Sequence, residues 1–124
     1  MVATKFKKCI CFFLSIALIL LISACGTFGE RYQMIQQPKI YVEYNEYLGY
    51  SAEIKGKLKN TSMRDYDYVS VEFSVYDKNG NNLGTALDNI NNLRAGDTWN
   101  FSANLFSFPS SKPTRFELIE VTMW

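Results

Sequence analysis

The feature that most constrains this chain is a repeated alternation of apolar and polar side chains. In the segment YSAEIKGKLKN, which begins at Tyr50, residues of one parity are apolar or small and the others are mostly charged. A second segment, YDYVSVEFSVYD, repeats the pattern, and its apolar set is Val69, Val71, Phe73 and Val75. A period of two is typical of β-strands that bury one face. These two segments therefore predict a sheet with one side in a core.

Glycine-centred turns separate the alternating segments. The pair Asn79-Gly80 tolerates the positive φ of a type I′ hairpin turn, so the strand that ends near Asp77 is predicted to turn back there. The return strand is expected near Asn82–Asp88, with Leu83, Thr85 and Leu87 on one face. A second turn, LRAGD, precedes TWNFSANLF, whose alternating apolar set is Trp99, Phe101, Ala103 and Leu105.

The two ends of this region complete the predicted sheet. The last run, Arg115–Trp124, is apolar on both parities in part, and a bulge near Leu118 to Glu120 would reconcile them. A first strand is expected at Lys39–Tyr44. Six or seven short antiparallel strands result, with no helical period. This spacing predicts an all-β fold, a β-sandwich, over residues 39–124.

The chain begins with the charge and hydropathy order of a secretory signal. Lys5, Lys7 and Lys8 precede an almost wholly apolar run from Ile10 to Ile22. A membrane-spanning helix is the alternative, but the run is shorter than the roughly 20 residues that a bilayer core requires. Length alone separates the two weakly, so the residues that follow decide.

Ile22, Ser23, Ala24 and Cys25 resemble the lipobox of bacterial lipoproteins. The resemblance implies that residues 1–24 are removed as a signal peptide and that the Cys25 thiol carries a lipid. An ordinary cysteine after an ordinary signal peptide is the alternative. Two or more acyl chains anchor a protein stably. The expected location is therefore the extracytoplasmic side of a bacterial cell membrane, with residues 25–38 as the lipidated cysteine and a short tether.

Composition after Cys25 excludes several functions. Residues 25–124 contain 10 Lys and Arg against 12 Asp and Glu, so no electrostatic case for nucleic acid exists. Cys9 and Cys11 lie in the signal segment and the chain has no histidine, so no metal site and no cofactor is expected. Without histidine or a free thiol, the usual nucleophile and base pairs cannot be built, and no catalytic residue is assigned.

The region from Gly56 to Leu105 resembles the FxLYD domain of bacterial lipoproteins and surface proteins. The matching segments are GKLKNTS at Gly56–Ser62, YVSVEFSVYDKNGNNLGT at Tyr68–Thr85 and LRAGDTWNF at Leu93–Phe101. The motif itself is FSVYD, with Val75 in the leucine position. The resemblance implies an immunoglobulin-like β-sandwich and no catalytic residues, because the shared residues are core and turn positions.

Three short patterns each have a functional and a structural interpretation. The segment from Asp77 to Asn81 resembles the start of a calcium loop, but the hairpin turn already explains its glycine, and the turn is favoured. Asn60-Thr61-Ser62 fits the N-glycosylation pattern, and an ordinary loop is favoured. Lys55, Lys57 and Lys59 form a basic row, which suits anionic lipid or wall polymer. The favoured alternative is the solvated side of an edge strand.

Strand parity selects a candidate interaction face. If Val69 to Val75 point inward, Tyr68, Glu72 and Tyr76 point away from the core and are expected to be partly exposed. Tyrosine offers rigid apolar area with a polar tip, which suits a binding surface. The sequence therefore predicts a tethered binding module for a protein or cell-wall polymer. The alternative is a structural accessory subunit of a membrane or envelope complex. The sequence does not indicate an oligomeric state.

Overall fold

A computed structural model describes residues 30–124, and these residues form six β-strands and no helix. The strands are β1 (Tyr32–Asn45), β2 (Gly49–Asn60), β3 (Tyr66–Tyr76), β4 (Asn82–Leu93), β5 (Thr98–Leu105) and β6 (Arg115–Met123). All neighbours are antiparallel, and the strand order is β1-β2-β5-β4-β3-β6. The predicted all-β, immunoglobulin-like sandwich class is confirmed. The predicted signal segment, the lipobox and Cys25 lie outside the described residues.

The sheet curls into two layers at the junction of β4 and β5. These strands share two register pairs, Ala86 with Leu105 and Leu87 with Asn104. The Asp88 carboxylate adds a further link, because it accepts a hydrogen bond of 2.8 Å from the Ser102 backbone N–H. We call β1, β2 and β5 the first layer, and β4, β3 and β6 the second layer.

Apolar side chains fill the space between the layers. The rings of Phe73 on β3 and Phe101 on β5 lie 5.8 Å apart although their strands are not neighbours in the sheet. The alternation predicted most of this core, which includes the buried residues Ile54, Leu58, Val69, Val71, Phe73, Val75, Trp99, Phe101, Ala103 and Leu105. Small residues make room for the rings: a methyl group at Gly56 would overlap Phe101, and Ala86 lies opposite Phe73.

The first strand begins at Tyr32 rather than at the predicted Lys39. Tyr32 and Met34 pack against the core, which draws this segment into the sheet, while Ile35 faces solvent. The pairing of β1 with β2 is irregular between Met34 and Lys39. That irregularity interrupts the two-residue period in the sequence, so the segment resembled a tether rather than a strand.

The predicted bulge in the last strand is confirmed. Glu72 pairs with Glu120 and Phe73 pairs with Leu118, so Ile119 is the extra residue between them. The insertion switches the parity of β6, which lets Phe116 on one side and Val121 on the other pack on the same core.

The predicted hairpin of β3 and β4 is confirmed, but its turn is not type I′. Gly80 has φ of 82°, whereas Asn92 is the only non-glycine residue with positive φ in the described range, so Asn79 is not left-handed. Gly80 N–H donates to Asp77 O at 3.1 Å, and Asp77 N–H donates to Asn81 O at 3.1 Å. This is a type I turn followed by a glycine bulge. The Asp77 side chain selects it by holding the Asn79 and Asn81 amides, each at 2.9 Å.

Candidate interaction surfaces

The predicted face lies on the outside of the second layer. Tyr68, Glu72 and Tyr76 are each partly exposed, and they project from the side of β3 opposite the buried valines. Because β3 lies between β4 and β6, neighbouring side chains flank this row on both sides. The chemistry of this face therefore depends also on the residues of β4 and β6 that lie beside Tyr68, Glu72 and Tyr76.

Tyr68 forms an aromatic pair with Trp124. Their ring centroids are 5.1 Å apart with an interplanar angle of 35°. Two backbone hydrogen bonds hold the pair in register, from Tyr68 N–H to Trp124 O at 2.8 Å and from Trp124 N–H to Tyr68 O at 3.0 Å. The tryptophan remains 69% exposed. Sequence reasoning missed Trp124, although the predicted bulge was a usable signal, because it places Met123 on the core side and therefore Trp124 on the outer side.

At the other end of the row, an arginine covers Tyr76. The Arg115 guanidinium carbon lies 4.2 Å from the centre of the Tyr76 ring, a cation–π geometry. Arg115 also pairs with Glu117 at 2.5 Å, and both side chains are well exposed. One face of the partly exposed Tyr76 ring is thus covered by Arg115.

Between the two aromatic ends lie carboxylates without cationic partners. Glu72 is directly opposite Glu120 on β6 and opposite Leu87 on β4. Unlike Glu53, which pairs with Lys55, and Glu117, which pairs with Arg115, neither Glu72 nor Glu120 has a basic group within 4.0 Å among the described residues. We call the set Tyr68, Glu72, Tyr76, Glu120 and Trp124 the acidic-aromatic face.

The outside of the first layer carries the basic row. Lys55, Lys57 and Lys59 lie on β2, and the edge-strand interpretation is wrong because β2 is enclosed by β1 and β5. Lys39 on β1 lies directly opposite Lys55. We call these four lysines the basic face. Their position on an interior strand means that they do not protect a free sheet edge.

One of the four lysines is compensated locally. Lys55 Nζ lies 3.2 Å from the Glu53 carboxylate and 5.4 Å from the centre of the Tyr41 ring. The hydrogen bond from Ser102 Oγ, together with Lys55, holds the pKa of the Glu53 carboxyl below its ordinary value. Lys57 and Lys59 have no carboxylate within 4.0 Å among the residues that the structure describes.

A shallow cleft crosses the first layer beside the basic face. Its volume is about 320 Å³. The outward groups around it are mostly polar or charged, and its lining is Gln36, Tyr41, Glu53, Lys55, Gly56, Asn100, Phe101 and Ser102. The cleft is open, so an extended ligand has access to the row of lysines and to amide and hydroxyl groups at once.

The calcium-like segment is occupied by its own turn. Asp77 is almost fully buried, and besides the Asn79 and Asn81 amides it accepts hydrogen bonds from Asn81 Nδ2 at 3.0 Å and Ser111 Oγ at 2.9 Å. The bonds from Asn81 and the others lower the pKa of the Asp77 carboxyl from 3.8 to about 2. The turn interpretation accounts for the pattern. No group of three potential metal ligands occurs within residues 30–124.

The glycosylation pattern is likewise structural. Asn60 is fully buried, and its amide nitrogen donates to Arg64 O at 2.8 Å and Leu93 O at 3.2 Å. Its Oδ1 accepts from the Ser62 backbone N–H at 3.0 Å and from Ser62 Oγ at 2.6 Å. A glycan would replace one of the two hydrogens on this buried nitrogen and so remove one of the two bonds it donates, and the loop interpretation remains favoured.

A third surface was missed by sequence reasoning. The β1–β2 hairpin approaches the segment after β5, where Tyr50 N–H donates to Pro109 O at 2.9 Å and a methyl group at Gly49 would come within 2.8 Å of the same oxygen. Large apolar side chains are exposed on both segments, namely Tyr44, Tyr47, Leu48, Phe106 and Phe108. We call these five residues the apolar end. The sequence signal for this surface was the presence of large apolar residues in two segments that show no apolar–polar alternation.

The described residues contain no helix with the length and hydropathy needed to cross a membrane.

No protein-family model and no curated protein matches the chain. Among solved structures, a β-glucuronidase from Bacteroides uniformis is 23% identical with a TM-score of 0.47, and 59% of this chain aligns to 8% of that one. A β-glucuronidase from glycoside hydrolase family 2 is 15% identical with a TM-score of 0.41, covering 58% of this chain and 7% of its own. The chain thus spans less than a tenth of either enzyme.

Proposed function

We infer that this protein is a bacterial lipoprotein, anchored outside the cytoplasm through Cys25, that presents an FxLYD-type β-sandwich as a binding module. The support for anchoring is the order of three features in the sequence: the lysine-rich start, the apolar run to Ile22, and the lipobox. The sandwich itself contains no cysteine after Cys25, so its stability rests on the apolar core rather than on disulfides. The proposal assigns no catalytic step.

The observation that carries the binding role is the acidic-aromatic face. Its exposed ring of Trp124 and its uncompensated carboxylates, Glu72 and Glu120, are not required by the core. Exposed aromatic residues beside charged groups are typical of binding hot spots. The face therefore suits a protein or wall-polymer partner that offers apolar area and positive charge together.

Anchoring is tested by changing the acylated residue. In cells fed a fatty-acid probe, the full chain should be labelled and its Cys25→Ala variant should not, because the thiol is the only attachment point in the proposal. Cys9→Ala is the matched control, since it alters a cysteine in the same segment. Equal labelling of the Cys25→Ala variant would rule out lipidation at this residue.

The binding face is tested separately in detergent-solubilised full chain. Tyr68→Thr together with Tyr76→Thr keeps residues with high strand propensity. The expected loss of stability is roughly 2 kcal/mol, since both rings are only half-buried. Capture of envelope partners should fall strongly, whereas Lys78→Gln, in the exposed β3–β4 turn, should leave capture unchanged. Full capture by a folded double variant would exclude this face.

A structural accessory role is the second candidate, and the apolar end favours it. Tyr47 and Phe106 are 87% and 75% exposed, and clustered apolar exposure is common where a subunit docks on a larger assembly. Sedimentation of native solubilised material distinguishes the candidates. An accessory subunit travels with a complex, and a free binding module travels near its own mass.

A further inference from the structure

We propose that the basic face binds a linear phosphodiester-linked polyol, lying along β2 on the outside of the first layer. This inference rests on the proposed function in one respect, which is display of the domain outside the cytoplasm. It concerns a different surface from the acidic-aromatic face, so each can fail without the other.

The lysines form a line rather than a cluster. Residues two apart on a strand lie about 7 Å from each other, so Lys55, Lys57 and Lys59 place three ammonium groups along roughly 13 Å. They share one side of β2, and the residues between them are buried. A regular line of cations on a non-edge strand is complementary to an extended chain that carries regularly spaced anions.

Lys55 contacts Glu53, but the fold does not benefit from the charges of Lys57 and Lys59. Lys57 and Lys59 have no ion pair within the described part of the chain. Lys39 lies directly across from Lys55, and like charges in that position destabilise a sheet. Neutral polar residues would serve a solvated face at least as well. The arrangement is therefore explained better by a negatively charged ligand than by stability.

Polar, uncharged side chains flank the line on both neighbouring strands. Lys59 lies between Gln33 and Thr98, and Lys57 lies between Gln36 and Asn100. Amides and hydroxyls both donate and accept hydrogen bonds, which matches the hydroxyl groups of a polyol between its phosphates. No aromatic ring is directly opposite Lys57 or Lys59, and the exposed ring of Tyr41 lies beside Lys55. Single-stranded nucleic acid, by contrast, usually stacks successive bases on a series of rings.

The shape of the face favours a polymer over a lipid surface. The cleft of about 320 Å³ beside Lys55 includes Tyr41 and Glu53 in its lining as well as Gln36, Asn100 and Ser102, and a single extended chain can enter it. Segments that bind a bilayer surface place bulky apolar residues next to their basic ones. Here the residues directly opposite Lys57 and Lys59 are polar on both sides. Lysine is also suited to phosphate because it acts as a compact point charge.

The test measures binding of full chain in non-ionic detergent to synthetic poly(glycerol phosphate), at several salt concentrations. Lys57→Gln with Lys59→Gln should weaken binding about tenfold at low salt and lower the slope of log K against log salt by about 0.7 for each lysine removed. Lys78→Gln with Lys112→Gln is the matched control. It removes the same charge from two exposed residues outside the basic face, and both quantities should stay as in the parent.

Two further probes identify the occupant. Vesicles of phosphatidylglycerol and phosphatidylcholine, and single-stranded DNA, should bind more weakly than the polymer and with no selective dependence on Lys57 and Lys59. Equal loss in the matched control, an unchanged affinity in the Lys57/Lys59 variant, or the same lysine dependence with vesicles or DNA would each overturn the proposal. This binding experiment does not measure lipidation, so a negative result leaves the conclusion of the Cys25 experiment unchanged.

Discussion

The two outer faces of the sandwich are built by the same alternation and carry opposite chemistry. On the first layer, four lysines are accompanied by amides and hydroxyls, with Tyr41 and Glu53 beside Lys55. On the second layer, carboxylates lie between Tyr68 paired with Trp124 and Tyr76 paired with Arg115. Both faces rest on one core. The comparison shows that the inner side of each strand is constrained by packing, while its outer side is free to acquire a separate role.

Each face also contains one like-charge pair across neighbouring strands. Lys39 is opposite Lys55 on the first layer, and Glu72 is opposite Glu120 on the second. The basic pair is relieved by Glu53, which contacts Lys55 at 3.2 Å, whereas the acidic pair has no such neighbour in the described residues. The two faces thus differ in how far their charges are balanced by neighbouring side chains.

The largest expected effect comes from the core that both faces share. Phe73→Ala should lower the free energy of unfolding by about 3–5 kcal/mol, because it opens a cavity between Phe101 of the first layer and Phe116 of the second. Chemical denaturation measures it, with Leu118→Ala as the exposed control. If both faces depend on one core, the Phe73→Ala variant should weaken binding at both. Loss of binding at one face alone, with full affinity at the other, would contradict a common core.

Acid should act on the second layer through its hairpin turn. The folded-state pKa of Asp77 lies below its unfolded value, so its contribution to stability is fully present above pH 3.8 and is lost as pH falls toward 2. Unfolding measured across that window should show the loss, and the Asp77→Asn variant should lack this part of the pH dependence. If the Asp77→Asn variant loses stability with acid in the same way as the parent, the Asp77 carboxylate is not the cause of this acid sensitivity.

Two glycine turns offer a smaller contrast. Gly80 closes the hairpin inside the second layer, and Gly96 lies in the turn that leads from β4 to β5; their φ angles are 82° and 84°. An added Cβ meets nothing within 4 Å at either residue, so Ala costs about 1 kcal/mol in both cases through backbone strain. Thermal unfolding compares the two variants. A loss confined to one of them would show that the turns are not equivalent.

The smallest effect is the relief of repulsion on each face. Glu120→Gln should stabilise the domain by a few tenths of a kcal/mol up to about 1 kcal/mol, because it removes the like charge that lies directly across from Glu72. Lys39→Gln should stabilise less, because Glu53 already contacts Lys55. Urea midpoints in parallel decide the order. A larger gain from Lys39→Gln would invert the charge balance described for the two faces.

The sequence was sufficient wherever one residue's parity determined its burial. Val69, Phe73 and Val75 are buried as the alternation predicted, and the mixed parity of the last strand correctly indicated the bulge at Ile119. These successes share a cause, because pleating fixes which side of a strand each residue occupies without reference to other strands.

Sequence reasoning failed where the outcome depended on another part of the chain. The lysines of β2 looked like an edge because strand order is invisible in alternation. The turn type was wrong because the Asp77 carboxylate, not the Asn-Gly pair, selects the backbone geometry. Trp124 was overlooked because its significance comes from contact with Tyr68. The candidate faces were therefore visible residue by residue but not as assembled surfaces.

Both free edges of the sheet are interrupted, and this has a consequence for self-association. Strand β1 loses its regular pairing between Met34 and Lys39, a stretch that contains Pro38, and strand β6 carries the bulge at Ile119. Intact edge strands template intermolecular β-ladders and aggregation. If the domain is tethered to a membrane as proposed, it meets its own copies at high local concentration. Interrupted edges on both sides limit the length of any ladder that two copies can form, so crowding on a surface need not lead to fibre growth.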